Sequence, residues 1–152
     1  MQKADIGATK ELIEEYIRWT NVDLCFQNIE KELATFPDIY REPEGAFLVA
    51  KDKGAIAGCV GMKKIGDGIC EMKRLYVKDA YKGMGIGKAL VRSIIEEARR
   101  KGYLKMRLDT LKKMERARRL YNECGFYEIA QYVENPIEDA LFMEKDLTKE
   151  ET

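Results

Sequence analysis

The chain has 152 residues, a net charge of zero from 27 Lys and Arg against 27 Asp and Glu, and no His. Its length favours one domain over residues 1–152, its 45% hydrophobic and 36% charged residues are typical of a folded protein, and its neutrality argues against nonspecific nucleic-acid binding. Without His, Ser-His-Asp and Cys-His catalysis and His-ligated zinc are excluded, so proton chemistry must come from carboxylates, Tyr, Lys, Cys or water.

The predicted elements alternate between helical and strand periodicity in a simple order. They are helices over 9–20 and 24–36, strands over 46–50, 55–64 and 69–77, a helix opening at 83–87 and ending at Gly102, a strand over 104–110, a helix over 114–124, and strands over 126–130 and 140–147. The order predicts an α/β (α+β) fold with a mixed sheet, in which hairpins precede a β-α-β unit and a closing pair. Any strand before residue 9 must be short or missing.

The spacing of the cysteines and the lengths of the apolar runs indicate the cellular compartment of the protein. No two of the four cysteines are spaced as C-x-x-C, so we expect buried thiols in a reducing cytosol and no metal site. Residues 1–10 lack the apolar core of a signal peptide, and no apolar run approaches the roughly 20 residues of a membrane span. We therefore expect a cytoplasmic protein with no membrane or nucleic-acid partner. The cysteines are Cys25, Cys59, Cys70 and Cys124.

A glycine-rich segment, Lys82-Gly83-Met84-Gly85-Ile86-Gly87-Lys88, lies between a predicted strand and a predicted helix. Glycines let a backbone approach a phosphate, and the helix dipole adds to the attraction. A dinucleotide fingerprint is excluded because Leu90 stands where its last small residue belongs, and a P-loop because Ala89 replaces its hydroxyl residue. A strand-to-helix turn that simply needs glycine is the alternative reading.

Three motifs in order resemble the GCN5-related N-acetyltransferase (GNAT) family. Residues 71–77 resemble its splayed strand, residues 82–87 its pyrophosphate loop [QR]-x-x-G-x-[GA], and residues 117–126 its A-x-x-L-Y-x-x-x-G-F signature. The resemblance implies the GNAT fold, with a mostly antiparallel central sheet flanked by helices. It also implies transfer of an acetyl group from acetyl-CoA to an amine by direct attack in a ternary complex.

By the same resemblance, loop backbone N–H groups hold the CoA pyrophosphate and strand backbone groups meet the pantetheine arm between splayed strands. Lys82 stands where Gln or Arg is usual, which keeps charge but no fork, and Met114 stands near where many members carry an Asn that contacts the cofactor arm. The implied cofactor-binding residues are Leu75, Tyr76, Val77, Lys82, Gly83, Met84, Gly85, Ile86, Gly87 and Lys88.

Two residues are the catalytic candidates. Tyr121 would protonate the departing thiolate, although its place on an apolar helical stripe also fits a core aromatic. Glu71 would accept the proton of the amine, directly or through water. The alternative for Glu71 is a surface ion pair with Lys73 on the same strand face, which would contribute little to stability.

The acceptor is expected to be a small amine or an amino-acid-like molecule, and loop residues Arg41, Tyr132 and Asn135 are candidates to bind it. A protein or peptide amine is a second option. A noncatalytic CoA-binding regulatory module and a nucleotide-binding domain are the rivals from other classes. The oligomeric state is left open, with a homodimer as the common default.

Overall fold

The computed structural model describes residues 6–20, 40, 43–132 and 139–148. Its elements follow the predicted order, and the helix predicted over 24–36 lies outside the described residues. Helix α1 begins three residues before its predicted start, and any strand preceding it would also lie outside them. The elements are α1 Ile6–Thr20, β1 Ala46–Asp52, β2 Ala55–Gly66, β3 Ile69–Val77, a 3₁₀ turn Asp79–Tyr81, α2 Ile86–Arg100, β4 Lys105–Leu111, α3 Glu115–Glu123, β5 Tyr127–Ile129 and β6 Ala140–Asp146.

The described strands form one six-stranded sheet in the order β1-β2-β3-β4-β6-β5. Every neighbouring pair is antiparallel except β3 and β4, which are parallel because α2 crosses over between them. The β1–β2 hairpin turns at Lys53 and Gly54, whose φ values of 51° and 86° suit the twist of a two-residue hairpin. The predicted mixed, mostly antiparallel sheet is confirmed.

Strand residues alternate between two apolar clusters on opposite faces of the sheet. On one face, α2 buries Leu90, Val91, Ile94, Ile95 and Ala98 against the strands, together with Tyr121 of α3. On the other face, Leu12 and Ile13 of α1 pack with side chains of β1, β2 and β3. Apolar side chains therefore cover both faces of the sheet at its centre. A site for chemistry can then form only where two strands separate.

Strands β3 and β4 pair only from Ile69 and Lys105 to Glu71 and Arg107. Arg74 has a φ of 58°, and β3 carries one extra residue there relative to β2. Such a bulge bends a strand and interrupts its ladder. The two strands consequently separate beyond Glu71 and leave a wedge between their carboxyl halves, which is the splay that the resemblance implied.

Candidate active site

A cavity of about 660 Å³ opens in the wedge between β3 and β4, below the amino-terminal ends of α2 and α3. This volume is within the usual range of small-molecule sites. Nine of the ten predicted cofactor-binding residues line it. The tenth, Met84, does not line it and is 68% exposed.

The entrance to α2 forms an anion cradle. Gly83 and Gly85 have φ values of 84° and 80°, which L side chains rarely adopt, and a Cβ at either position would meet nothing within 4 Å. Glycine is therefore required at these two positions by the backbone conformation and not by a lack of space for a side chain. Gly85 is the N-cap of α2 and makes no side-chain cap hydrogen bond. The first N–H groups of a helix lack intrahelical acceptors, so they face the cavity mouth with the positive end of the dipole.

Two lysines flank this cradle. The Lys82 ammonium lies 6.0 Å from the centre of the Tyr76 ring, and both residues line the cavity. The Lys88 ammonium lies 3.8 Å from a carboxylate oxygen of Glu123, and about half of each side chain is exposed. Positive charge is thus concentrated at the loop, although the chain is neutral overall.

The β3 backbone borders the cavity directly. The β3–β4 register ends at Glu71, so Leu75 and Val77 face the cavity where a neighbouring strand would otherwise lie. An extended ligand can pair with such a strand edge as an added strand would. The geometry suits the amide-bearing arm that the resemblance assigns to this place.

Tyr121 belongs to the cavity wall and to the core at once. Its side chain lines the cavity, and its ring packs edge-on against Phe126 with centroids 5.8 Å apart. Its side chain is buried. The packing holds the phenol in one place, which is the requirement for a positioned proton donor and is equally the signature of a core aromatic.

Glu71 and Lys73 form a buried ion pair, so the expectation of a surface pair is wrong. Their charged atoms are 3.6 Å apart, with side-chain exposures of 7% and 13%. Burial lowers the pKa of Lys73, and the opposing charge of Glu71 only partly offsets it. The Tyr132 hydroxyl donates a 2.6 Å hydrogen bond to Glu71 Oε2. Neither Glu71 nor Tyr132 lines the cavity, because each covers the other.

Asp109 is a site residue that sequence reasoning missed. It lies on β4, two residues beyond Arg107, which is the last β4 residue that pairs with β3, and on the same face as Arg107. It lines the cavity together with Lys73. Burial raises its pKa, and the charge of Lys73 acts in the opposite direction. A carboxyl with a raised pKa in a cleft is a candidate proton acceptor. The sequence feature that could have indicated Asp109 was the alternation of charged and apolar residues in this strand.

The remaining sequence predictions concern the cysteines and the acceptor-binding residues. Cys59, Cys70 and Cys124 are buried and form no disulfide within the described part of the chain, and burial raises the pKa of Cys59 and Cys70 to about 12. Arg41 and Asn135 lie outside the described residues. Over the same ranges, no three His, Cys, Asp or Glu side chains converge as a metal site would require. None of the described helices combines the length and apolar character needed to cross a bilayer.

Comparison with known proteins identifies this architecture. A family model described as the acetyltransferase (GNAT) family matches residues 9–126. An uncharacterized N-acetyltransferase of Schizosaccharomyces pombe is 40% identical over 147 residues, covering 95% of this chain and 90% of its own. A GNAT-family acetyltransferase from Staphylococcus aureus superposes with a TM-score of 0.81 at 20% identity, covering 97% of this chain and 96% of its own.

A further solved structure is relevant to the cavity. The PaiA N-acetyltransferase of Thermoplasma acidophilum, determined in complex with coenzyme A, is similar with a TM-score of 0.76 at 22% identity, over 96% of this chain and 95% of its own. At such low sequence identities, structural similarity establishes the fold alone. The family model and the Schizosaccharomyces pombe relative establish membership of the family. From its motifs, its splayed sheet and these matches, the chain belongs to the acetyltransferase (GNAT) family.

Proposed function

We propose that this acetyltransferase moves an acetyl group from acetyl-CoA to the primary amine of a small or amino-acid-like acceptor, by direct attack in a ternary complex. The observation that carries the proposal is the wedge between β3 and β4. It has a helix terminus suited to an anion at one end and two carboxylates, the half-buried Asp109 and the buried Glu71, toward the other. Bound acetyl-CoA supplies the activated acetyl thioester.

The residues present fit the donor. Loop backbone N–H groups at the start of α2 suit a pyrophosphate, and Lys82 and Lys88 add positive charge beside them. The β3 edge at Leu75 and Val77 suits the amides of an extended arm. These groups hold the donor in line with the wedge, so that an amine entering from the far side needs little reorganisation to attack.

Proton transfer is assigned to side chains in and behind the cavity wall. Tyr121 donates a proton or a hydrogen bond to the departing sulfur. The amine must lose a proton, and two carboxyls are near the point where the strands part. Asp109 reaches the cavity, whereas Glu71 is covered by Tyr132, so Glu71 would act through water along the base of the wedge.

An amino-acid-like acceptor is supported by positive charge at the inner wall. Lys73 and Arg74 line the cavity where β3 bends, and the Arg74 residue is 8% exposed. A carboxylate on the acceptor would be attracted to these cations while its amine faces Asp109. An acceptor that is only cationic would gain less at this wall.

A thiol-release assay with acetyl-CoA and a library of amines tests the proposal. We expect turnover with carboxylate-bearing amines, a loss of at least about a hundredfold in kcat for Tyr121→Phe, and a comparable loss for whichever of Asp109→Asn and Glu71→Gln removes the base. Tyr103→Phe is the matched control, because the Tyr103 hydroxyl bonds the Glu44 carbonyl oxygen outside the cavity, and it should keep wild-type kcat.

Three outcomes would contradict the proposal. Acetyl-CoA binding with no turnover for any amine or peptide would favour a noncatalytic CoA-binding module. Turnover confined to peptide amines would retain the acetyltransferase and reject the small-molecule acceptor. Stabilisation against heat by ATP or NAD but not by acetyl-CoA would reject the donor.

A further inference from the structure

A network of polar side chains outside the cavity extends from Glu71 on β3, across β4, to β6 and β5. Tyr132, which follows β5, donates its hydroxyl to Glu71 Oε2 at 2.6 Å. The Arg107 guanidinium lies 5.1 Å from the centre of the Tyr132 ring, and the Phe142 ring meets that ring edge-on at 5.3 Å. Tyr132 is therefore held from two sides while its hydroxyl is directed at one carboxylate oxygen.

The cation in this network is itself anchored. Arg107 Nε donates to Glu144 Oε1 at 2.9 Å, and the Tyr127 hydroxyl donates to Glu144 Oε2 at 2.7 Å. The Glu144 side chain is 8% exposed. Burial acts to raise its pKa, but hydrogen bonds from Tyr127 and Arg107 outweigh burial and hold the pKa of Glu144 below its ordinary value. A charged Glu144 thus fixes the plane of the guanidinium that covers Tyr132.

Tyr132 can act only as a donor in this arrangement. Burial, followed by the charge and hydrogen bond of Glu71, raises the pKa of Tyr132 well above its ordinary value. A hydroxyl that keeps its proton remains a donor to the carboxylate that accepts it. It also restricts that carboxylate to one rotamer, with its second oxygen 3.6 Å from Lys73.

We propose that Tyr132 is a positioning residue, braced by the Arg107–Glu144 pair, which holds the Glu71 carboxylate in one orientation and does not itself bind the acceptor. The proposal rests on the proposed function, with Glu71 and not Asp109 as the carboxylate that accepts a proton through water. It replaces the expectation that Tyr132 is a substrate-binding residue. The described charged or titratable groups that surround Glu71 are Lys63 on β2, Lys73 and Arg74 on β3, Arg107 and Asp109 on β4, and Tyr132.

Tyr132→Phe tests this directly, because it keeps the ring contacts and removes only the hydroxyl. We expect kcat to fall about tenfold, with the KM values for acetyl-CoA and for the acceptor unchanged. Arg107→Lys, which loses the planar fork, should lower kcat by less. Tyr103→Phe is the control, because the Tyr103 hydroxyl donates to the Glu44 carbonyl oxygen, away from the cavity and from this network, and the variant should keep wild-type kcat.

A double variant separates positioning from substrate contact. If Tyr132 acts through Glu71, Tyr132→Phe adds no loss in a Glu71→Gln background. An additional loss there, or a higher KM for the acceptor, would overturn the proposal in favour of direct contact. An unchanged kcat in Tyr132→Phe would overturn it as well.

A readout independent of turnover keeps the two proposals distinguishable. Carbon-13 NMR of the side-chain carboxyls, with Glu71 assigned by Glu71→Gln, reports the environment of this carboxylate at neutral pH without any acceptor. Tyr132→Phe should change the Glu71 carboxyl chemical shift, whereas Tyr103→Phe should not. A changed chemical shift without turnover would reject the proposed function and keep the hydrogen bond, whereas turnover with an unchanged chemical shift would reject Tyr132 as a positioning residue.

Discussion

Met114→Asn should stabilise the protein, because Met114 occupies the N-cap of α3 and cannot cap it. Its φ and ψ of −84° and 66° are non-helical, and no side-chain hydrogen bond caps the helix. Its carbonyl accepts the first helical bond from the Arg118 N–H at 3.0 Å. The geometry is that of a working N-cap, with a side chain that offers no good acceptor to the exposed N–H groups of the first turn.

An Asn at this position would accept a hydrogen bond from one of those N–H groups. The gain over an apolar N-cap is about 1 kcal/mol, which for a chain of this size raises Tm by about 3 °C. The change removes the 3.7 Å contact between Thr110 Oγ1 and Met114 Sδ, a weak hydrogen bond that subtracts little. The net effect is a stabilisation in the unliganded protein.

Thermal unfolding of wild type, Met114→Asn and Met114→Ala measures this gain. Met114→Ala is the control, since it removes the same thioether without adding a cap. A Tm for Met114→Asn no higher than that of Met114→Ala would refute the capping argument. Repeating the scans with acetyl-CoA adds a second readout. Met114 lines the cavity, so an Asn that contacts the cofactor arm would enlarge the ligand-induced shift.

Three further predictions follow from backbone conformation and burial. Gly125→Ala and Gly102→Ala should each cost about 1 kcal/mol, because their φ values are 95° and 86° and the Lys145 ammonium, 2.5 Å from a Cβ at position 125, ends a flexible side chain that can move aside; no loss at either position by denaturant titration would contradict this. Because the pKa of Glu144 is depressed by folding, its stabilisation is complete above about pH 4.5 and is lost as the pH falls through the folded value. Glu144→Gln should therefore show a flatter decline of stability in acid, and a decline as steep as wild type would be the contrary result. Cys25→Ser should leave no thiol that reacts with a disulfide reagent at pH 8 before unfolding, and rapid reaction in the native state would contradict the burial of Cys59, Cys70 and Cys124.

Local sequence patterns were sufficient to predict those elements whose structure depends on their own residues. The apolar residues that predicted α2 are the ones it buries, because a period of 3.6 residues fixes which face of a helix meets the sheet. The loop from Lys82 to Lys88 was likewise identified from spacing alone, since a left-handed turn at a helix start can be read from glycine positions. The domain assignment over residues 1–152 and the oligomeric state stay predictions.

Contacts across the sheet were not available from local patterns. Glu71 and Lys73 look like a solvated pair on one strand, and their burial depends on Tyr132, which is 61 residues away from Glu71. Asp109 looked like one polar residue of an alternating strand until the bulge at Arg74 separated β3 from β4 and made it part of a cavity wall.

The sequence by itself determined the family, the order of elements, the glycine-rich loop at the start of a helix and the absence of histidine chemistry, because these depend on composition and short spacings. Only the tertiary structure decided which carboxyl reaches the cavity and which is held by a tyrosine. Burial and hydrogen bonding between distant strands set the ionisation of a carboxyl, and neither quantity is a property of the residues taken one after another.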